Sequence, residues 1–255
     1  MRTVSLPWDL GLVTPLDASE ACDWILGAAE DLSRPRILSN LNLHALHLSL
    51  EDGPVHTLTS RSDVTLVDGW PILLLAKMAS PKFGWPTTRE RIGSTDWLSE
   101  LMRRDPEIAV VAVGGTPETA TRMTSYVNDR TSNMQWQHFD GFSFAPAAEA
   151  SSETGIRDMV SRADVVLVGL GMPTQEQWIL DHLALMKGGA VVANVGGCFD
   201  YFAGTQRLAP RWMGRFGLEW LYRLAHSPRR LAKRYLIEPF LLLSRLARRG
   251  QRPHA

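Results

Sequence analysis

Apolar and polar positions along the chain mark out alternating strands and helices. Residues 3–13 alternate in the manner of an opening strand or hairpin. Asp17, with Glu20 three residues on, has the pattern of a capping box and predicts a helix through about Leu32. Arg36–Ser39 reads as a strand and Leu43–Leu50 as a helix. Residues 63–67 (DVTLV) form a β-branched strand that runs into Asp68-Gly69. A helix through about Met78 and a loop rich in Pro, Gly and Lys over 80–93 follow.

The clearest unit begins at Ile108, where the apolar run IAVVAV ends in Gly114-Gly115. Thr116, Pro117 and Glu118 then supply a helix N-cap, a proline at the first helical position and an acid in the first turn. Residues 163–179 (ADVVLVGLGMPTQEQWI) repeat this design, and 190–197 (AVVANVGG) form a further buried strand. Continuous apolar strands separated by helices predict an α/β fold. Its Rossmann-like, mostly parallel sheet carries helices on both faces. Ligands of such sheets sit at the carboxyl ends of the strands. Asp68, Gly114-Gly115, Gly169–Gln175 and Gly196–Asp200 all fall at such ends.

Charge divides the chain in two. The 255 residues sum to zero net charge, but from Arg207 onward there are 12 Lys/Arg against 2 Asp/Glu, leaving 15 against 25 before it. We therefore expect an α/β body over 1–206 and a basic, amphipathic C-terminal helical appendage over 207–255. The appendage reads as two or three short helices broken at Pro228 and Pro239, with arginines interleaved among Trp212, Phe216, Trp220, Tyr222, Tyr235 and Phe240. That pattern fits a helix lying in a membrane interface; a helical cap packed on the sheet is the alternative. The N-terminus lacks a signal peptide's charged head and apolar core, and no apolar run approaches the ~20 residues of a membrane span. A peripheral protein on the inner face of the cytoplasmic membrane is expected. Cys22 and Cys198 have no paired spacing and suit a reducing compartment.

Candidate chemistry starts from what is missing. No GxGxxG opens a helix and no GxxxxGK[ST] occurs, which disfavours dinucleotide oxidoreductases and P-loop NTPases. No Asp-x-Asp is present to hold a divalent metal on a diphosphate, so no metal is expected, and arginines and helix N-termini would carry leaving-group charge. His44, His47 and His56 lie close in sequence but lack ligand spacing; exposed or core histidines are the better reading. Asp68-Gly69 is either a turn pair or a carboxylate poised as general base, and spacing leaves the two even.

A set of motifs tips that balance. They are SNLNLHAL with Asn42, DVTLVDGWP around Asp68, RIGSTDWL from Arg91, VAVGGTPE, and DGFSF at 140–144. Further on come GLGMPTQEQWI with Gln175 and Glu176, NVGGCFDYFAGTQRLAPRW, and GLEWLYRLAHSPRRLAKRY. In this order the chain resembles the WecG/TagA/CpsF family of glycosyltransferases (glycosyltransferase family 26) through nearly its whole length. The resemblance implies an inverting transfer of N-acetylmannosamine, an aminouronic-acid analogue or glucose. The donor would be a UDP-sugar and the acceptor a sugar on a polyprenyl diphosphate, in cell-surface polysaccharide synthesis. No further cofactor is implied.

The resemblance also implies roles, position by position. Asp68 matches the base that deprotonates the acceptor hydroxyl, and Asn42 the pocket asparagine. Arg91 and Gln175 match polar positions lining the same cleft. Gly141-Phe142 and Asp200 match the nucleoside end of the donor site; Gly114, Gly115 and Gly171 are donor-binding candidates on a separate ground, since strand–glycine–helix turns offer free amides and a helix dipole to phosphate. Arg223, Arg230 and Lys233 would supply cations to the acceptor's diphosphate or to the leaving UDP. The chain departs from the pattern at Asn40, where threonine is common, and at Phe142, where tyrosine is common; both bear on substrate identity. A longer, more apolar stretch past Tyr235 points to firmer membrane attachment. Two other classes compete: a non-catalytic, membrane-peripheral subunit of a polysaccharide assembly complex, and a nucleic-acid-binding protein. The tail's leucines and aromatics suit lipid better than a phosphate groove, and no nucleic-acid motif occurs. Apolar helix faces leave homo-oligomerisation open.

Overall fold

The computed structural model describes residues 1–79, 90–141, 150–206, 213, 218–226 and 228–249. A short antiparallel hairpin, β1 (Val4–Ser5) and β2 (Leu12–Val13), opens the chain. The main sheet has six strands: β3 (Arg36–Leu41), β4 (Val64–Val67), β5 (Ala109–Gly114), β6 (Gln135–Phe139), β7 (Val165–Gly169) and β8 (Val191–Asn194). Their spatial order is β4-β3-β8-β7-β5-β6 and every pairing is parallel.

Strand alternation assigns each face its own core. Leu38, Val110, Ala112, Val165, Leu167, Val191 and Ala193 point to one side. There they meet α1 (Ala18–Gly27), α5 (Ser94–Arg104), α6 (Pro117–Asn128) and α9 (Cys198–Phe202). Ile37, Val111, Val113, Val166, Val168 and Val192 point to the other, against α3 (Pro54–Arg61), α7 (Ala150–Arg162) and α8 (Thr174–His182). A third cluster fills the β4 edge, where the hairpin meets α2 (Leu43–Ser49) and α4 (Trp70–Ala79).

Local signals hold where they were strongest. Asp17 accepts from the Glu20 amide while the Glu20 carboxylate accepts from the Asp17 amide. The Thr116 hydroxyl caps α6 by accepting from the Thr119 amide, with Pro117 next in the chain. The pattern of the tail departs from expectation. After α10 (Glu219–His226), α11 (Pro228–Ala232) runs through a π turn (Lys233–Ile237) directly into α12 (Glu238–Arg249). Pro239 therefore does not break the helix. Proline lacks an N–H and crowds the carbonyl four residues back, and a π turn widens the backbone at just that point. Its hydrogen bond runs from the Glu238 amide to the Lys233 carbonyl, five residues back.

Candidate active site

A cavity of about 420 Å³ opens over the carboxyl ends of β4, β3, β8 and β7. The chain leaves β3 outward to β4 and re-enters the sheet on the far side at β5, so β3 and β8 meet where the two halves join. Parallel sheets open a ligand crevice at such a junction. The wall includes Asn42 and Asp68 from the first half, and Gly171, Gln175, Asn194 and Gly196 from the second.

Asp68 follows β4 directly. Its amide donates to the Leu41 carbonyl, which continues the sheet by one residue and aims the half-buried carboxylate across the strand ends. Asn42 caps α2: its Oδ1 accepts from the Ala45 amide at 3.0 Å, while its Nδ2 donates to Asp68 Oδ2 at 3.3 Å. One side chain thus starts a helix and orients the carboxylate. Gly93 faces the other oxygen; a Cβ there would lie 3.4 Å from Asp68 Oδ1, so glycine keeps that side open.

Behind the wall lies a buried polar network. Gln175 Oε1 accepts from the Gly196 amide at 3.2 Å, and its Nε2 donates to Glu176 Oε1 at 2.7 Å. Asn194 Nδ2 donates to the same oxygen at 2.9 Å. Asn194 in turn accepts from the Asn40 amide, and its own carbonyl accepts from Asn40 Nδ2 at 2.7 Å. The ends of β3 and β8 and the first turn of α8 are thereby tied together. Burial pushes the Glu176 carboxyl above its usual value, with the Asn194 and Gln175 donors opposing.

The appendage completes the wall. Leu231, Lys233 and Glu238 all line the cavity. His44 Nδ1 and Glu238 Oε2 are 2.6 Å apart across the cavity rim. Further along α12, Leu242 enters the third core cluster and Arg245 pairs with Glu51.

Of the residues expected at the site, Asn42, Asp68, Gly171, Gln175 and Lys233 line the cavity together. Arg91 does not; most of the loop expected over 80–93 lies outside the described residues, but Arg91 itself pairs with the end of β4, and its guanidinium carbon sits 5.8 Å from the Trp70 ring centroid. A cation–π contact of this kind holds Arg91 beside the site. Gly114 and Gly115 also lie outside the wall. A Cβ on Gly114 would fall 2.3 Å from the Gly169 carbonyl oxygen, and one on Gly115 2.8 Å from Thr119, so both serve close packing. Gly141 donates its amide to the Gly115 carbonyl on that same outer side. The Asp200 carboxylate accepts from the Thr119 and Thr205 hydroxyls, tying α6 to α9. Its neighbours Tyr201 and Gln206 reach the cavity instead. Phe142 and the side chains of Arg223 and Arg230 lie outside the described residues.

Sequence reasoning gave no site role to His44, which it read as an exposed or core histidine, to Glu176, which it named only within its motif, or to Asn194 and Glu238. His44 carried one signal, its position two residues past the capping Asn42. Glu238 carried none, lying 194 residues away from its partner. Cys198 lines the cavity, but burial raises its thiol pKa well above the usual range, and Cys22 and Cys198 are both free. Among the described residues no group of three His, Cys, Asp or Glu side chains is gathered as a metal site requires. Nor is any helix among them long and apolar enough to cross a membrane.

Fold and cavity together define an α/β protein with a cavity over the carboxyl ends of a parallel sheet, walled in part by helical residues of the appendage. The chain belongs to the glycosyl transferase WecG/TagA/CpsF family, whose model matches residues 9–255, and it is a glycosyltransferase. A relative from Bacillus subtilis (strain 168) is N-acetylglucosaminyldiphosphoundecaprenol N-acetyl-beta-D-mannosaminyltransferase. It is 26% identical over 211 residues, which cover 81% of this chain and 77% of the relative.

Proposed function

We propose that this glycosyltransferase moves a hexose or N-acetylhexosamine, of the N-acetylmannosamine or glucose type, from a UDP-sugar to a sugar carried on polyprenyl diphosphate. The transfer inverts the anomeric centre, uses no metal ion and serves cell-surface polysaccharide synthesis at the inner face of the cytoplasmic membrane. The observation that carries the reading is the Asp68 carboxylate, oriented by Asn42 on the wall of a cavity that also holds Lys233. The name of the Bacillus relative supports a lipid-diphosphate acceptor.

In this reaction the acceptor hydroxyl oxygen attacks the anomeric carbon as the bond to the UDP oxygen breaks on the opposite face. The hydroxyl proton passes to Asp68, and UDP leaves with the bonding electrons. One base suffices, because inversion needs no covalent intermediate. Asn42 holds one carboxylate oxygen, and the absent Gly93 side chain leaves room for the acceptor at the other. Lys233, with Arg223 and Arg230 of the same appendage, meets diphosphate charge.

The test uses the purified full chain, a short-chain polyprenyl-diphosphate N-acetylglucosamine and a panel of UDP-sugars. One donor should give a product of the added mass. Asp68→Asn should lower kcat by about 10²–10⁴ while UDP still binds. Normal turnover by that variant would refute the assignment of the base.

A further inference from the structure

The appendage meets the body at named contacts along one face. Glu238 reaches His44, Leu242 enters the third core cluster, and Arg245 meets Glu51. Glu238 and His44 differ from the other two contacts in standing on the cavity wall. Glu238 is 7% exposed, so its carboxylate is held in place against a site that receives a polyanion. An isolated carboxylate there would repel a diphosphate and would be costly to bury. His44 engages its Oε2, which gives the buried acid a partner and, when the imidazole carries its second proton, offsets its charge.

The same pair is joined through the backbone to Lys233. The Glu238 amide donates to the Lys233 carbonyl, so one turn of π helix links the anchored acid to the cavity cation. Lys233 itself is exposed and has a long, flexible stem, and only its backbone can be fixed in advance. Pro239 helps to keep this widened turn, since it leaves no N–H for the α-helical alternative.

We propose that His44 and Glu238 are a positioning pair: their contact seats the appendage so that Lys233 faces the cavity, and thereby sets the affinity for a diphosphate-bearing substrate. The inference rests on the transfer reaction proposed above for its choice of ligand, but not for the seating of the helix. The diphosphate is that of the donor or that of the lipid acceptor, and the probes separate the two.

The experiment compares the full-length protein with His44→Ala, Glu238→Ala and the double variant. Binding of UDP and of farnesyl diphosphate is measured by calorimetry, with hydrogen–deuterium exchange of the α12 amides and Tm alongside. Each single variant should weaken at least one probe by about tenfold and speed α12 exchange, and the double should be no worse than the singles. Weakening of UDP alone assigns the pair to the donor, and of farnesyl diphosphate alone to the acceptor. A lower Tm with both affinities and α12 exchange unchanged would overturn the proposal, as would losses that simply multiply in the double variant. If the wild type binds neither probe, the reading of the reaction fails. The exchange data then decide the seating on their own: non-additive loosening of α12 supports the pair, and unaltered exchange refutes it.

Discussion

Glu176 is 1% exposed, and no cation pairs with it among the described residues. Its Oε1 accepts from Gln175 and Asn194, whereas its Oε2 makes no hydrogen bond among the described residues. Burial disfavours the charged form of such a carboxyl and raises its pKa, with the Asn194 and Gln175 donors opposing. The sign follows from proton counting. Between the unfolded value of about 4.3 and the higher folded one, the native state binds more protons than the unfolded chain. Stability from this group is therefore complete at low pH and falls as pH rises through that window. Glu176→Gln keeps an oxygen for both donors and removes the ionisation. Its stability relative to the parent should improve from about pH 5 to about pH 8 in urea unfolding. A constant difference across that range would mean that Glu176 ionises freely in the folded protein. The residue matters to the site because Gln175 and Asn194, which it holds, both face the cavity.

Strand ends in this molecule are built from close backbone approaches. A Cβ at Gly114 would meet the Gly169 carbonyl at 2.3 Å, and one at Gly169 would meet the Gly196 carbonyl at 2.6 Å, so β5, β7 and the turn after β8 lie in near contact. Backbone atoms cannot move aside as a side-chain tip does. Gly114→Ala should therefore cost about 3 kcal/mol or more, from overlap added to a strained φ. Gly204 isolates the second cause: its φ is +70° and a Cβ would meet nothing within 4 Å. Gly204→Ala should cost only about 1 kcal/mol. Denaturation midpoints of the two variants compare them directly, and equal losses would remove close approach as the cause. Elements of this sheet interior were the legible ones. Runs such as 109–113 and 165–168 are apolar on both faces, and the helix after the first carries a plain Thr116 cap. Strand β6 was not legible, because an edge strand leaves Gln135 and Gln137 in solvent and buries only Trp136 firmly. Helix α5 was hidden for a different reason. Its cap is Gly93, which has no side chain to signal a start; only the return bond from its amide to Asp96 is made. In the site, Asp68 and Asn42 stand next to strand ends and can be found by walking the chain. Contacts such as His44–Glu238 exist only once the tail has folded back.

At the scale of the whole molecule, the appendage turns one face to the body and leaves another bare. Leu231, Glu238 and Leu242 are buried, while Leu236, Ile237, Phe240 and Leu241 of the same continuous helix are exposed, Phe240 at 72%. Trp220 and Leu221 on α10 are exposed as well. Such apolar side chains cost stability in water and gain it at a bilayer surface, about 1.5–3 kcal/mol for each one fully buried. The appendage also holds 12 of the 27 Lys/Arg residues, and each cation near an anionic leaflet adds roughly 1 kcal/mol. The two contributions can be separated. Leu236→Ser combined with Phe240→Ser should weaken binding to phosphatidylserine-containing vesicles by about tenfold or more, while Tm stays within a degree or so, because neither side chain is in the core. Added salt should weaken the parent further by screening the cations, and vesicles of phosphatidylcholine alone should retain only the apolar part. Vesicle binding that ignores both substitutions would show that this bare face is not what meets the bilayer. Binding that responds to the substitutions but not to salt would assign attachment to apolar insertion alone. Because the helix that presents Phe240 outward also carries Glu238 and Lys233 inward, insertion of the one face would hold the other over the cavity.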